Sequence, residues 1–147
     1  MTTDSIPADR EPFGYAKLIG IKASDRLELS KKIQAGFPFN SFVILTRTMG
    51  VTNKELAELV QISTRTLNRR QKEGKLKAVE SDRLLRFARI ITYAIDLFEG
   101  DQEAAQNWLS SKKQALKGDS PLKASRTEEG AREVESLIVR IGHGVFA

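Results

Sequence analysis

Residues 52–77 constrain the fold of this chain most, and they read TNKELAELVQISTRTLNRRQKEGKLK. Thr52 and Glu55 have the Thr-x-x-Glu spacing of a capping box, in which each side chain satisfies a backbone N–H of the other at a helix start. Apolar residues then follow at the spacing of one helix face: Leu56, Ala57 and Val60. Ser63 is a good N-cap for a second helix, and Gly74 suits the exit of that helix. The stretch therefore predicts two short helices joined by a tight turn, a helix-turn-helix.

The excess positive charge of the chain lies in the same stretch. Residues 61–77 contain six basic side chains and one acid, Glu73, which gives a net charge of +5. Since the whole chain also has a formal net charge of +5, the remainder is neutral. A local positive patch suits the phosphates of a nucleic acid, because each neutralised phosphate releases a counterion. The charge pattern therefore favours DNA binding by the helix-turn-helix.

The predicted second helix presents polar side chains that we expect to contact DNA. Arg65 and either Asn68 or Arg69 are expected to read base edges in the major groove, since Arg pairs with guanine and Asn with adenine. Three further side chains are better placed for phosphate oxygens: Thr64, Thr66 and Lys72. The predicted DNA-binding set is Ser63, Thr64, Arg65, Thr66, Asn68, Arg69 and Lys72.

Two positions leave alternatives open. Gln61 occupies the turn position where such units often carry Gly, and Arg70 takes a position that is usually apolar. An ordinary helical hairpin with a solvated basic face would show the same run of charge. A protein-binding module whose helix-turn-helix has lost its affinity for DNA is the other alternative.

The rest of the chain predicts an all-α protein with three parts. Residues 1–14 contain two prolines and little to bury, which predicts a flexible N-terminal arm. Residues 15–77 form the predicted DNA-binding domain, with helices expected over 24–36 and 40–50 ahead of the helix-turn-helix. Residues 78–147 form a second helical domain.

Residues 78–98 predict a helix that is apolar on most of its surface and must therefore be covered on most sides. In so small a chain, we expect part of that cover to come from a second copy. The predicted dimer interface consists of Phe87, Ile90, Ile91, Ala94, Ile95 and Phe98. A dimer would also match a two-fold operator. The alternative is that this helix is simply the central helix of the core.

The C-terminal third predicts two more helices. Asp101 is a good cap for the first of them, in which we expect Trp108 to lie in the core. Residues 112–126 are polar and basic and predict a loop. Thr127 starts an amphipathic last helix, and an apolar tail, residues 145–147, follows it. Because terminal residues are normally polar, such a tail is expected to dock on its own core or to insert into a partner.

Catalytic chemistry finds no support in the sequence. His143 is the only histidine and cysteine is absent, so neither a histidine-based triad nor a thiolate zinc site can form within one chain. No Gly-rich loop follows a strand to cradle phosphates. We therefore expect no enzymatic activity, no cofactor and no metal. The chain also lacks an apolar run of membrane-spanning length and a secretion signal, which predicts a cytoplasmic protein without a membrane partner.

The C-terminal part carries a pattern found in one family. The matching residues are Trp108-Leu109, Pro121-Leu122, Thr127, Gly130, Val134, Leu137, Ile141 and Gly144-Val145. In their order and spacing they resemble the toxin-binding module of the Xre–ParS–MbcA type antitoxins. With the helix-turn-helix ahead of it, the resemblance covers roughly residues 40 to 147. The long ending looks most like that of antitoxins paired with RES-domain toxins.

The resemblance implies a function in two parts. The chain would bind and neutralise a cognate RES-domain toxin, and it would repress their shared promoter by binding operator DNA. RES toxins of this family act on NAD⁺, so the NAD chemistry would belong to the partner. The last helix and tail would cover the toxin's cofactor pocket, with contacts from Pro121, Leu122, Arg126, Arg140, Val145, Phe146 and Ala147. A helix-turn-helix regulator whose C-terminal helices only dimerise is the competing interpretation.

Overall fold

The computed structural model describes residues 13–144, in which every regular element is helical. The helices are α1 Gly14–Leu18, α2 Arg26–Ala35, α3 Phe39–Met49, α4 Asn53–Leu59, α5 Thr64–Glu73, α6 Ala78–Leu97, α7 Gln102–Ser110, α8 Pro121–Ala124 and α9 Glu128–Gly142. A 3₁₀ turn, Gln114–Leu116, lies between α7 and α8. The described residues contain no strand, only an isolated antiparallel bridge between Pro38 and Lys75. The all-α prediction is confirmed.

Two compact units divide the described residues: a first unit, Phe13–Ala88, and a second unit, 89–144. The division falls inside α6, and our domain boundary after residue 77 stays a prediction. The predicted N-terminal arm lies outside the described residues except at its end. There Gly14, which we assigned to the arm, begins α1. Among the helices of residues 13–144, none combines the length and the apolar content that a membrane span requires.

The two helices of the predicted helix-turn-helix are α4 and α5, and both begin at the predicted caps. Thr52 Oγ1 accepts the N–H of Glu55 at 3.0 Å, and the Glu55 carboxylate accepts the N–H of Thr52 at 2.8 Å. Ser63 Oγ accepts the N–H of Thr66 at 3.1 Å at the start of α5. Gly74 ends α5 with a φ of 77°. The helix-turn-helix is confirmed.

The turn between α4 and α5 is a Schellman motif with glutamine at the position that favours glycine. Gln61 has a φ of 63°, in the left-handed region. Its N–H donates to the Glu58 carbonyl at 3.2 Å, and the N–H of Ile62 donates to the Ala57 carbonyl at 2.8 Å. The side chain of Ile62 is buried. The absence of glycine at this turn therefore does not prevent the helix-turn-helix from forming.

The segment between α2 and α3 runs against the exit of α5. The N–H of Phe39 donates to the Gly74 carbonyl, and the N–H of Leu76 donates to the Phe37 carbonyl, both at 2.9 Å. A Cβ atom on Gly36 would lie 2.1 Å from the Leu76 carbonyl oxygen, so only glycine allows this approach. These contacts hold the C-terminal end of α5 from one side.

The predicted dimer-interface residues all lie on α6 or directly after its end. Phe87, Ile90, Ile91 and Ala94 have no exposed surface in the single chain. In the single chain they are therefore core residues, which fits the alternative that this helix is the central helix of the core, and the dimer interface itself stays a prediction. Of the six predicted interface residues, Ile95 and Phe98 remain half-buried.

The second unit has a more ordered middle than we expected. Residues 112–126, predicted as a loop, contain the 3₁₀ turn and the short helix α8, which Ser120 caps by accepting the N–H of Lys123 at 3.2 Å. The predicted caps of its longer helices are confirmed. Asp101 Oδ1 accepts from the N–H of Ala104 at 3.1 Å, and Thr127 Oγ1 accepts from the N–H of Gly130 at 3.0 Å.

Candidate DNA-recognition and toxin-binding surfaces

The outer face of α5 carries the predicted DNA-binding residues. Six of the seven are exposed: Ser63, Thr64, Arg65, Asn68, Arg69 and Lys72. Thr66 is half-buried, and its hydroxyl lies 3.0 Å from Ser63 Oγ. Arg65, Arg69 and Lys72 recur at intervals of four and three residues, which places them on one side of the helix. The first unit thus presents a helix with a continuous basic face.

Charge is distributed unequally between the two units. The first unit contains 15 basic and 7 acidic residues, which gives +8, whereas the second contains 8 basic and 9 acidic residues, which gives −1. A field of this sign around α5 attracts a polyanion and raises its rate of encounter. The positive charge that the DNA-binding prediction requires therefore lies in the first unit.

Arg70 differs from the other basic residues of α5, because its side chain points inward. It is 7% exposed, and its Nε donates to Glu80 Oε1 at 2.7 Å. The hydrogen bond to Glu80 raises the pKa of Arg70 above its ordinary value. Burial opposes ionisation of Glu80, but hydrogen bonds from Arg70 and from the N–H of Lys77 leave the pKa of this carboxyl below its ordinary value. Both groups are therefore charged.

The predicted toxin-binding residues fall into three groups. Pro121 is buried at the first position of α8, where it supports the fold of the single chain, and its contact with a toxin stays a prediction. Leu122 is half-buried and Arg126 is exposed. Arg140 is half-buried, donates to Ser136 Oγ at 3.0 Å and lies 3.7 Å from Glu133 Oε2. The remaining three, Val145, Phe146 and Ala147, lie outside the described residues.

A charged contact fixes α9 in the second unit, and the sequence did not reveal it. Arg89 Nε donates to Glu135 Oε2 at 2.8 Å, and Arg89 Nη2 lies 3.3 Å from Glu128 Oε2. Burial lowers the pKa of Arg89, but the attraction of Glu135 and Glu128 outweighs it, and the pKa lies above its ordinary value. The available signal was the interval of seven residues between the two glutamates, which places them two turns apart on one face of a helix.

Trp108 is also less buried than predicted. Its ring is half-buried and lies 6.5 Å, centroid to centroid, from that of Phe98. Lys113 Nζ lies 5.0 Å from the Trp108 ring centroid, in the geometry of a cation–π contact. Burial lowers the pKa of Lys113. This cluster therefore anchors the segment that follows α7 without being part of a fully closed core.

Comparison with known proteins assigns each half of the chain to a described domain. Residues 28–89 match the antitoxin Xre-like helix-turn-helix domain. Residues 94–144 match the antitoxin Xre/MbcA/ParS C-terminal toxin-binding domain. The two matches follow one another along the chain, in the order that the sequence resemblance predicts.

Curated relatives resemble the chain over most of its length. It is 35% identical to an antitoxin Xre of Yersinia enterocolitica over 88% of both chains. It is 30% identical to an antitoxin Xre of Photorhabdus laumondii over 89% of both chains. A third antitoxin Xre, from Pseudomonas putida, is 33% identical over 83% of this chain and 75% of the relative. With a helix-turn-helix that presents a basic face and a C-terminal toxin-binding domain, this chain belongs to the Xre antitoxin family.

Proposed function

We propose that this antitoxin neutralises a RES-domain toxin with its second unit and represses its own operon with its first. The observation that carries the proposal is the match of residues 94–144 to a toxin-binding domain, directly after a helix-turn-helix whose basic face is exposed. The RES identity of the toxin rests on the resemblance of the C-terminal pattern. A regulator without a toxin partner is less well supported, because it gives the toxin-binding domain no role.

The toxin-binding half of the proposal uses α9 and the residues that follow it. α9 ends at Gly142, and the apolar residues 145–147 follow two positions later in the sequence. Arg126 and Arg140 supply positive charge in the same unit. In the proposed complex these elements cover the NAD⁺ pocket of the toxin, and the two arginines pair with acids or occupy a site suited to phosphate. The NAD⁺ chemistry then belongs to the toxin. The antitoxin itself is proposed to be a non-enzymatic, cytoplasmic protein without a cofactor.

The DNA-binding half of the proposal uses the exposed face of α5. Arg65 and Asn68 or Arg69 are proposed to read base edges, and Thr64, Thr66 and Lys72 to contact phosphates. Ser63 caps the helix end that approaches the DNA. The net charge of the first unit supports this arrangement, since a polyanion is attracted to it as a whole.

A homodimer is also part of the proposal, because a two-fold reader suits a two-fold operator. Because most apolar side chains of α6 are buried in the single chain, the proposed contacts with a second copy are limited to half-buried residues. Ile95 and Phe98 are the members of the original set that meet this condition. Sedimentation equilibrium of the purified chain, with Ile95→Glu as the disruptive variant, tests this part separately.

Co-expression with the product of the adjacent gene tests the toxin-binding half. We expect the two proteins to co-purify and the toxin alone to stop growth. Growth should be rescued by the full chain and not by a chain that lacks residues 144–147. Full rescue by the truncated chain would show that the tail does not cover the active site. If nothing co-purifies and the neighbouring product is harmless alone, the toxin-binding function is wrong for this pair.

Binding to the chain's own promoter tests the other half. We expect the affinity to fall steeply as the salt concentration rises, because phosphate contacts release counterions. The truncated chain should bind the promoter as the full chain does. Absence of salt-dependent binding would favour the alternative of a protein-binding module that has lost its affinity for DNA.

A further inference from the structure

We propose that Arg70 and Glu80 are positioning residues that fix the recognition helix α5 against the start of α6, and that Arg70 does not contact DNA. The inference deepens the proposed function and rests on it, since it concerns how α5 is presented to the operator. It divides the basic residues of α5 into two classes: those that meet the DNA and one that holds the helix.

The geometry of the pair supports a role inside the fold. Arg70 is 7% exposed and Glu80 is 8% exposed, so neither side chain is available to a phosphate. Arg70 Nε donates to Glu80 Oε1 at 2.7 Å, and Arg70 Nη1 lies 3.3 Å from Glu73 Oε1. The guanidinium therefore uses two of its nitrogens on carboxylates of its own chain.

Glu80 links three elements through one oxygen. The same Oε1 that accepts from Arg70 also accepts the backbone N–H of Lys77 at 2.8 Å, just before α6 begins. Arg70 lies in the last part of α5, Lys77 in the connection, and Glu80 in the first turn of α6. One buried carboxylate thus fixes the angle at which the chain leaves α5 and enters α6.

The same connection is also held by hydrogen bonds of Phe37. The N–H of Leu76 donates to the Phe37 carbonyl at 2.9 Å, and the N–H of Phe37 donates to the buried Ser81 Oγ at 2.8 Å. The connection is therefore restrained both by Glu80 and by Phe37, and loss of one restraint is expected to let α5 rotate about the other. Because Arg65, Asn68 and Arg69 share that helix, such a rotation would displace the base-reading face as a whole.

Buried ion pairs are directional but are weak sources of stability, since well-packed apolar residues often serve as well. An arginine at a position where an apolar side chain would suffice is therefore better explained by geometry than by stability. The fork of the guanidinium permits contacts with Glu80 and Glu73 together, which a lysine ammonium does not reproduce in the same fixed arrangement.

The charge of Glu80 allows a test in which an electrostatic effect and a positioning effect predict opposite changes in the affinity for promoter DNA. Glu80→Gln removes a negative charge close to α5, so a purely electrostatic effect would tighten binding to DNA. If Glu80 positions α5, the variant instead binds its promoter more weakly. We expect a loss of about tenfold, which corresponds to a typical coupling energy between residues of one salt-bridge network.

Arg70 is tested by the salt dependence of binding. Removal of a phosphate contact lowers the slope of log K against log salt concentration by about 1. We expect Arg70→Met to weaken promoter binding about tenfold with an unchanged slope, and Arg70→Lys to restore part of the affinity. Lys72→Met is the matched control, because Lys72 is an exposed cation on the same helix and its loss should lower the slope by about 1.

The double variant Arg70→Met/Glu80→Gln completes the test. If the two residues act as one device, the double variant loses no more affinity than the weaker-binding single variant. Losses that multiply would show two independent effects and would overturn the proposal. Promoter binding by Glu80→Gln that equals or exceeds that of the wild type would also overturn it, as would a slope lowered by about 1 in Arg70→Met.

Hydrogen exchange in the full chain separates failure of this inference from failure of the proposed function. We expect faster amide exchange in α5 of Glu80→Gln, with exchange in α9 unchanged, at a temperature where both units are folded. If the wild type binds no promoter DNA, the proposed function fails while the exchange measurement still tests the link. Unchanged exchange in α5 would overturn the inference by itself.

If Glu80→Gln does not fold, Glu80→Asp and Arg70→Lys replace it in both measurements, with smaller expected effects in the same direction.

Discussion

An ideal Cβ atom on Gly130 would lie 1.7 Å from the carbonyl oxygen of Ala124. The backbone of α9 therefore crosses the end of α8 at a distance that no side chain permits. Gly130 also donates its N–H to Thr127 Oγ1, so the contact falls where α9 begins. The glycine of the family pattern has a packing role here, since it sets how α8 meets the helix proposed to contact the toxin.

Gly130→Ala is expected to destabilise the second unit. Alanine has the better helix propensity, by about 1 kcal/mol, but the overlap with a backbone oxygen cannot be relieved by a rotamer change. The overpacking cost should prevail and lower the free energy of unfolding by about 1–3 kcal/mol. Urea denaturation followed by far-UV circular dichroism measures the change.

Gly142→Ala is the matched control in the same helix. A Cβ atom there would lie 3.7 Å from Leu97 Cδ1, an ordinary van der Waals distance. We expect this variant to be as stable as the wild type or slightly more stable. Equal stability of both variants would contradict the packing role of Gly130.

Gln61→Gly is expected to stabilise the first unit. The left-handed conformation costs a residue with a Cβ atom about 1–2 kcal/mol, whereas glycine loses about 0.5–1 kcal/mol more chain entropy on folding. The net gain in the free energy of unfolding should be about 0.5–1 kcal/mol. Gln61→Ala separates the conformational effect from loss of the side chain, because alanine keeps the Cβ atom. A gain of the same size in both variants would rule out the conformational explanation.

The helix-turn-helix could be predicted because its signals are local. Thr52 and Glu55 are three residues apart, as are Ser63 and Thr66, and each pair forms its hydrogen bond within a single helical turn. Such contacts depend on the sequence spacing alone. The helix α8 was missed because four residues are too few to show a helical period.

Burial and long-range pairing could not be predicted. The apolar surface of α6 was visible in the sequence, but whether Phe87 and Ile90 face the chain's own core or a second copy depends on packing. Arg70 had several acids within reach in the sequence, and nothing in a helical pattern selects Glu80, which lies across a connection between two helices. Arg89 and Glu135 are further apart still, separated by 46 residues.

The carboxyl of Glu80 is expected to make the first unit sensitive to acid. Burial raises the pKa of this carboxyl, but hydrogen bonds from Arg70 and Lys77 more than offset it, and the pKa lies below its ordinary value of 4.5. Because the folded-state pKa is lowered, the stabilisation is present above the ordinary value and is lost as the pH falls through the folded-state pKa. Between about pH 5 and pH 3, the wild type should therefore lose more free energy of unfolding than Glu80→Gln.

Arg70→Met provides the comparison for this acid dependence. Without the guanidinium, burial still raises the pKa of Glu80, and mainly the N–H of Lys77 remains to lower it. The pKa of this carboxyl is therefore expected to be higher than in the wild type. The loss of stability on acidification should then be smaller than in the wild type. Identical acid dependence in all three proteins, measured by urea denaturation at each pH, would show that the pair does not contribute to it.

Arg65→Ala is expected to weaken operator binding by roughly 1–3 kcal/mol, the cost of losing one base-reading arginine. The residue is exposed at the start of α5, where a recognition helix contacts base edges. The loss should be confined to the operator and should be small on unrelated DNA of equal length, because a base contact carries sequence information and a phosphate contact does not. Fluorescence anisotropy with both DNA fragments at one salt concentration measures the difference.

Lys123→Ala removes the same charge from the second unit and should leave the operator affinity nearly unchanged. Toxin neutralisation should survive Arg65→Ala, since α9 is not affected. An operator affinity equal to that of the wild type would refute the assigned role of Arg65, and equal losses on both DNA fragments would reassign it to the phosphate contacts.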